Sequence, residues 1–463
     1  MFFIVIVIFI DMLIVVVVIV IVIFINIIVL TPRHTGVNIS LGLDKMIESL
    51  GLNNGKRKLW SVNDNASNMK VAIRESEHLC GYFCTIHTMQ LGVIDTFKLC
   101  PGMKQVNRKS KKIAKFVKKA PVRMAELKAG VEAAGLKFRK PKNPGQTRWD
   151  SQYDCMVSIR PYKDVINNLA MNHPEWENRS LSASQWKILE GACETLKHIK
   201  DTNKALEGEK EPTINRVLER LFINHELLDN FISDPKNSRE KYGVSFAKTL
   251  KEQIEKRFPE KGLNCPLRRC ANYLDPTFKG LHLVEAGRFE ETKDNIENEW
   301  NEITTDEELE EAEVDEPEEE VAEKPKEPLS PTAKLRERIR QAQGQAGQAG
   351  RGRTETTREL VKSKIRKEME RYYSFSIPPK GVRVLDWWKK HRSVLPILTH
   401  MARAVLAIPA SSASSERVFL TGANVVTKKR TRMLPTKVEN SIIINENRAK
   451  VEEFKNKNFT GHS

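Results

Sequence analysis

Asp64 sits in the polar string NDNASNM, directly after KLWSV, which reads as a short strand. A strand that ends on a carboxylate and then opens a helix places that carboxylate at a sheet edge, a usual site for metal chemistry. The same group also serves as an ordinary Asp or Asn helix N-cap. Cys80, Cys84 and His87 follow in HLCGYFCTIHTMQLGVIDTF, which reads as a helix with Cys84, His87, Leu91 and Ile94 on related faces. Their types suit zinc, but a four-ligand site needs a second pair, and only Cys100 lies nearby. Buried cysteines and a hydrogen-bonded histidine account for them without structural zinc. Arg148 and Trp149, in TRWDSQYDCM after a Pro-Gly turn, set a guanidinium beside an aromatic ring. That pair is a platform for an unstacked base, though a Trp is also ordinary core material. The string KQVNRKSKKIAKFVKKA reads as a helix with Ile113, Phe116 and Val117 on an apolar face. Its Lys111, Lys112, Lys115, Lys118 and Lys119 can neutralise phosphates, or form a plain solvated face. Near the other end, Ser414 or Ser415 can cap a helix whose early residue is Glu416.

The elements that must position these groups belong to a chain of 463 residues, enough for two or three domains. Charged residues make up 29% and apolar residues 40%. These values exclude a mainly disordered chain, a collagen-like chain and a polytopic membrane protein. Seven cysteines are too few for a disulfide scaffold, and the odd count fits a reducing compartment. The net charge is +16, which favours an anionic partner, most often nucleic acid. Between 290 and 323 lie 18 acidic residues and one Lys, which predicts a solvated disordered tract. Without that tract the rest carries roughly +33.

Residues 1–30 are almost all Ile, Val, Phe and Leu, interrupted by Asp11 and Asn26. The stretch is long enough for a transmembrane helix. It has no basic leader, no cleavage site and no small or Trp residues to pack or anchor a span. It reads best as a hydrophobic low-complexity segment, with a membrane anchor and a buried strand pair as alternatives.

Residues 31–103 hold the helix HTGVNISLGLDKMIESLGL, with apolar Ile39, Leu43, Met46, Ile47 and Leu50, and the strand before Asp64. Helical spacing dominates 104–289, closed by CANYLDPTFKGLHL. An acidic and Gln/Gly-rich disordered linker covers 290–357. The last block, 358–463, contains an unusually apolar set: Trp387, Trp388, Leu395, Leu398, Met401, Val405 and Leu406. A basic string, KKRTR, follows at 428–432.

The string W…LPILTHMARAVLAIPASSASSERVF…KKRTRMLP…VENSIIINEN resembles the C-terminal region of hAT-superfamily transposases and of their domesticated relatives with BED zinc fingers. HTGVNI, DNASNM, CTIHTMQL, TRWDSQYD and LDPTFK match further pieces in the family's order. The resemblance implies an α/β, RNase H-like catalytic fold, incomplete here, interrupted by an all-α insertion domain and followed by a helical C-terminal dimerisation region. It implies that Asp64 and Glu416 are two members of the family's Asp-Asp-Glu metal site, with His87 and Cys84 beside them. It also makes Trp149 the aromatic that stacks on a flipped base. The strand that carries the first catalytic Asp finds no match, since Asp11 lies in a featureless apolar run, and no BED finger is present.

Two-metal phosphoryl transfer needs carboxylates flanking both ions, so the loss of one leaves the centre incomplete. The expectation is a transposase-derived, catalytically inactive nuclear protein with no cofactor, binding magnesium or manganese only if active. It forms a homodimer through Trp387, Trp388, Leu395, Leu398, Met401 and Leu406, unless that set is intramolecular core. It binds DNA weakly and without sequence preference through Arg148, Trp149 and the lysines of 104–119. The alternatives are an active Asp-Asp-Glu transposase or nuclease with a longer N-terminus, and a membrane-anchored protein held by residues 1–30.

Overall fold

The computed structural model describes residues 4–10, 13–15, 35–49, 51–52, 59–145, 149–208, 210–234, 241–303, 355–418 and 435–446. Helix dominates, with one four-stranded sheet. Its strands are β1 (Ile4–Ile10), β2 (Leu13–Val15), β3 (Leu59–Asn63) and β4 (Leu79–Phe83), in the order β2-β1-β3-β4. β3 and β4 run parallel, with Leu59 opposite Leu79 and Asn63 opposite Phe83. β1 pairs antiparallel with the other edge of β3 and with β2. Part of the hydrophobic N-terminal segment is therefore strand, its alternating β-branched residues suiting a pleated ladder. Among the described residues, no helix is long and apolar enough to cross a membrane. Asp11 lies outside the described residues.

Side chains alternate across a strand, so one strand feeds two cores. Leu79, with half-buried Leu59, packs with Ile39, Leu43, Met46, Ile47, Met69 and Ala72. Those residues come from α1 (Gly36–Ser49) and α2 (Ser67–Glu75). Val62, Tyr82 and half-buried Trp60 face the opposite way, into the large core shared with the helices that follow. The segment LCGYF, expected to open a helix, is β4; the helix, α3 (Thr85–Leu99), begins only after Cys84. Pairing with β3 gives LCGYF its backbone partners, while Cys84 caps α3 and the helical spacing of His87, Leu91 and Ile94 falls within it.

The helical body continues through α4 (Met103–Lys119), α5 (Pro121–Ala133), α6 (Trp149–Ile159) and α7 (Lys163–Asn172). A 3₁₀ turn at Pro174–Arg179 leads into the long α8 (Ala183–Leu206), opened by a Ser182–Gln185 capping box. Then come α9 (Arg216–Ser233), α10 (Lys241–Arg257), α11 (Pro266–Tyr273) and α12 (Leu281–Glu285). α8 and α10 approach at Gly191 and Gly243, where a Cβ on Gly191 would stand 2.4 Å from the Gly243 Cα. Only glycine permits so close a backbone crossing.

Part of the tract expected to be disordered is helix. Residues Phe289–Ile303 form α13, with Ile296 and Thr292 buried and Glu297 paired with Arg366. An apolar stripe and that ion pair order a segment whose average composition reads as disordered. Residues 304–354 lie outside the described residues.

The C-terminal part comprises α14 (Glu355–Ser374), α15 (Val384–His391), α16 (Pro396–Leu406), a helical turn at 413–418 and α17 (Pro435–Glu446). Trp387, Trp388, Leu395, Leu398, Met401 and Leu406, assigned from sequence to contact between copies, are all buried within one chain. Trp388 stacks on Tyr372 at 5.2 Å and donates from its indole nitrogen to the Leu274 carbonyl at 2.9 Å. Tyr372 donates to the Tyr273 carbonyl at 2.9 Å. The apolar set is thus the surface by which the C-terminal helices pack against α11 and the LDPTFK segment. This is the intramolecular-core alternative that the sequence left open.

Glu368 on α14 accepts from the backbone N–H groups of Ile397 (3.1 Å) and Leu398 (2.8 Å) at the start of α16. Those bonds favour a charged carboxylate, but burial outweighs them and pushes its pKa up to about 7. Between the ordinary value of 4.5 and 7 the folded state holds the extra proton, so stability falls as pH rises through this window. The loss reaches up to about 3 kcal/mol. Glu368→Gln should flatten that slope in denaturant titrations from pH 5 to 8, and an unchanged profile would exclude this role. Trp388→Ala should cost about 3–5 kcal/mol and Trp388→Phe roughly 1–2 kcal/mol, both read from unfolding midpoints.

Candidate functional site

At the carboxyl ends of β3 and β4 the chain turns twice into helices. After β3, the Asp64 carboxylate accepts from the Ala66 N–H at 3.1 Å, an Asx turn that starts α2. Asn65 donates to the Thr88 hydroxyl on α3 at 2.9 Å, holding the two turns side by side. After β4, Cys84 caps α3: its Sγ accepts from the His87 N–H at 3.3 Å. The same sulfur accepts from the Ser412 N–H at 3.4 Å, and the Thr85 N–H donates to the Ala410 carbonyl at 2.9 Å. Thr213 and the Leu206 carbonyl hold the other side of this loop, through the Ala410 N–H (2.9 Å) and the Ser411 hydroxyl (3.1 Å). A segment more than 300 residues downstream is thereby fastened to the end of β4.

The helical turn 413–418 starts from that fastened loop and brings Glu416 to a small cleft. Cys84, His87, Asp150, Glu207, Ser411 and Glu416 line it. Burial holds the His87 imidazole below its ordinary 6.5, and the charge of nearby Asp64 partly offsets this. Cys84, His87 and Glu416, expected from sequence to sit near one another, therefore share one cleft, with Asp64 in electrostatic reach of His87. Asp150 and Glu207 were not anticipated. Asp150 had a signal, since it follows Trp149 in TRWDSQYD; Glu207 had none, because it enters only as the end of α8 turns toward the 410–412 loop.

The carboxylates and imidazole around the cleft do not converge on one point. No three of Asp64, Cys84, His87, Asp150, Glu207 and Glu416 bring ligand atoms within 4.8 Å of one another. The arrangement as it stands does not fit a two-metal centre, whose ions sit about 3.5–4 Å apart and share carboxylates. Nor do Cys80, Cys84 and His87 form a ligand group.

Trp149 is 1% exposed and packs edge-on to Tyr153 at 6.1 Å. It is core here rather than an open stacking platform, because α6 turns its first residue inward. Arg148 lies outside the described residues, as do Phe419, Leu420 and the basic string at 428–432. On α4, Met103, Val106, Ile113, Phe116 and Val117 are buried. Lys112, Lys115, Lys118 and Lys119 are exposed, and Lys111 is half-buried. The helix thus turns most of its positive charge outward.

The fastening of the C-terminal helices to the sheet end coincides with a recognisable sequence region. Residues 368–448 match the hAT family C-terminal dimerisation region. The match begins at Glu368 and includes Trp387, Trp388 and Glu416. The chain is also homologous to a zinc finger BED domain-containing protein, DAYSLEEPER, of Arabidopsis thaliana. The two are 25% identical over 326 residues, which cover 70% of this chain and 43% of that protein. RICESLEEPER 2 of Oryza sativa subsp. japonica, of the same description, is 26% identical over 346 residues, covering 70% of this chain and 45% of its own. A putative AC transposase of Zea mays is 23% identical over 421 residues, covering 87% of this chain and 49% of its own. The chain therefore spans less than half the length of these relatives.

The proximity of Asp64 to His87 has a measurable consequence. In an NMR titration, His87 should titrate below 6.5, and Asp64→Asn should lower its pKa further by removing the offsetting charge. An unchanged or raised His87 pKa in that variant would separate the two residues.

Proposed function

We propose that the chain is a transposase-derived, DNA-associated nuclear protein that forms a homodimer and does not cut DNA. The observation that carries this reading is the match of residues 368–448 to the hAT family C-terminal dimerisation region. Homology to BED-type relatives and to a putative transposase supports it. The parallel β3–β4 pair, with Asp64 after one strand and Cys84 and His87 after the other, is consistent with an incomplete RNase H-like sheet interrupted by the helices between 104 and 289. Asp64 and Glu416 are read as remnants of a catalytic trio. That no three groups around the cleft bring ligand atoms within 4.8 Å of one another supports inactivity, since two-metal phosphoryl transfer shares carboxylates between ions.

DNA association rests on the basic face of α4. Phosphate contacts dominate such binding and carry no sequence information. Replacing Lys112, Lys115 and Lys119 by Gln should reduce the salt slope of log K by about 2–3, at roughly 0.9 per phosphate contact. A slope unchanged in a duplex-binding titration would remove α4 from the interface.

The gathering of Asp150, Glu207 and Glu416 in one cleft beside His87 favours a second reading, an active nuclease. Strand cleavage of DNA ends with manganese separates the two. The first reading expects no cleavage. Cleavage that disappears in Asp64→Asn and Glu416→Gln would establish the second. Sedimentation of the full chain at tens of micromolar should show a dimer, and a monomer there would count against dimerisation.

A further inference from the structure

We propose that Glu126, His173 and Glu175 form a divalent-metal site of the zinc type, outside the cleft and unrelated to strand transfer. His173 and Glu175 flank Pro174 where α7 ends and the 3₁₀ turn begins, and Glu126 faces them from α5. One ligand atom from each lies within 4.8 Å of the other two. Among the described residues this is the one group of three with that property.

Two observations point to a cation here. First, no Lys or Arg of the described ion pairs reaches Glu126 or Glu175. Arg123 and Arg179, on the same two elements, lie over the Phe116 ring at 4.0 and 4.6 Å. Two carboxylates held together without a cation repel each other. Second, Glu126 is oriented from behind. The fully buried Trp176 donates from its indole nitrogen to one Glu126 oxygen at 2.8 Å. That bond leaves the other oxygen for a metal, the arrangement by which outer partners commonly aim a ligating carboxylate.

The donor set selects the ion. One imidazole with two carboxylates suits zinc or manganese, whereas calcium prefers six to eight oxygens. Ligand atoms around tetrahedral zinc lie roughly 3.3–3.6 Å apart, within the 4.8 Å span that already holds all three groups, and water would supply the fourth ligand. The exposed Glu175 side chain has the freedom to reach that spacing. Binding would pin the turn that carries Trp176 to α5. Trp176 in turn packs edge-on against Phe116 of α4 at 5.1 Å. The metal would therefore stiffen the seat of the basic helix.

The test is zinc titration of the full chain against a competing chromophoric chelator, comparing wild type with His173→Ala, Glu126→Gln and Glu175→Gln. Free cysteines elsewhere give a background common to all four proteins. Wild type should show one additional zinc equivalent, weakened at least tenfold in each variant. Zinc should raise the melting temperature of wild type more than that of the variants. Glu175→Gln changes an exposed side chain, so its fold is retained even if the other two unfold. Equal zinc stoichiometry and affinity in wild type and Glu175→Gln would overturn the site. So would an X-ray absorption spectrum showing that all bound zinc is held by sulfur.

Discussion

The architecture depends on a short stretch of backbone, residues 410–412, held against the end of β4. Thr85 and Ser412 supply the N–H donors, and the Ala410 carbonyl and the Cys84 sulfur accept them. Closing a loop of this size is entropically costly, though the cost grows only slowly with length. The bonds are buried, where leaving either backbone group unpaired would carry the full desolvation penalty. Glu416 is near His87 only because this fastening holds, and Leu206 and Thr213 hold the same loop from the helical body. Sheet, helical body and C-terminal segment meet at one point, which is also where the candidate cleft lies.

A second junction shares the work. The LDPTFK segment receives the C-terminal helices through Trp388 and Tyr372, whose polar atoms bond the Leu274 and Tyr273 carbonyls. The Lys279 ammonium reaches the Tyr372 carbonyl at 2.8 Å, at the C-terminal end of α14. Burial pushes the Lys279 pKa down, while carbonyl oxygens at a helix C-terminus favour the cation. Aromatic packing and carbonyl capping thus join segments about 100 residues apart in sequence. The most apolar residues of the region are buried inside one chain.

The cleft and the basic helix place opposite demands on charge. α4 turns most of its lysines to solvent, whereas Asp150, Glu207 and Glu416 line the cleft together with His87. A phosphate backbone drawn to α4 would meet negative charge at the cleft unless a cation intervened. Among the described residues, no three of the groups around the cleft bring ligand atoms within 4.8 Å of one another.

Local pattern carried a good part of this protein. The periodicity of Ile39, Leu43, Met46 and Ile47 defined α1, the apolar and basic faces of 104–119 defined α4, and a polar Asp after KLWSV marked the end of β3. The C-terminal string identified its region, and Asp64, His87 and Glu416 were named from motifs alone. The elements were legible because helix and strand faces are written at short range. Tertiary structure decided the rest. It made LCGYF a strand, because the free edge of β3 pairs with its backbone. It ordered Phe289–Ile303, where one buried stripe outweighed an acidic average. It turned Trp149 and Trp387 inward and brought Asp150 and Glu207 to the cleft. Burial and long-range convergence depend on which surfaces meet, and sequence spacing does not encode which of two apolar faces a distant segment will cover.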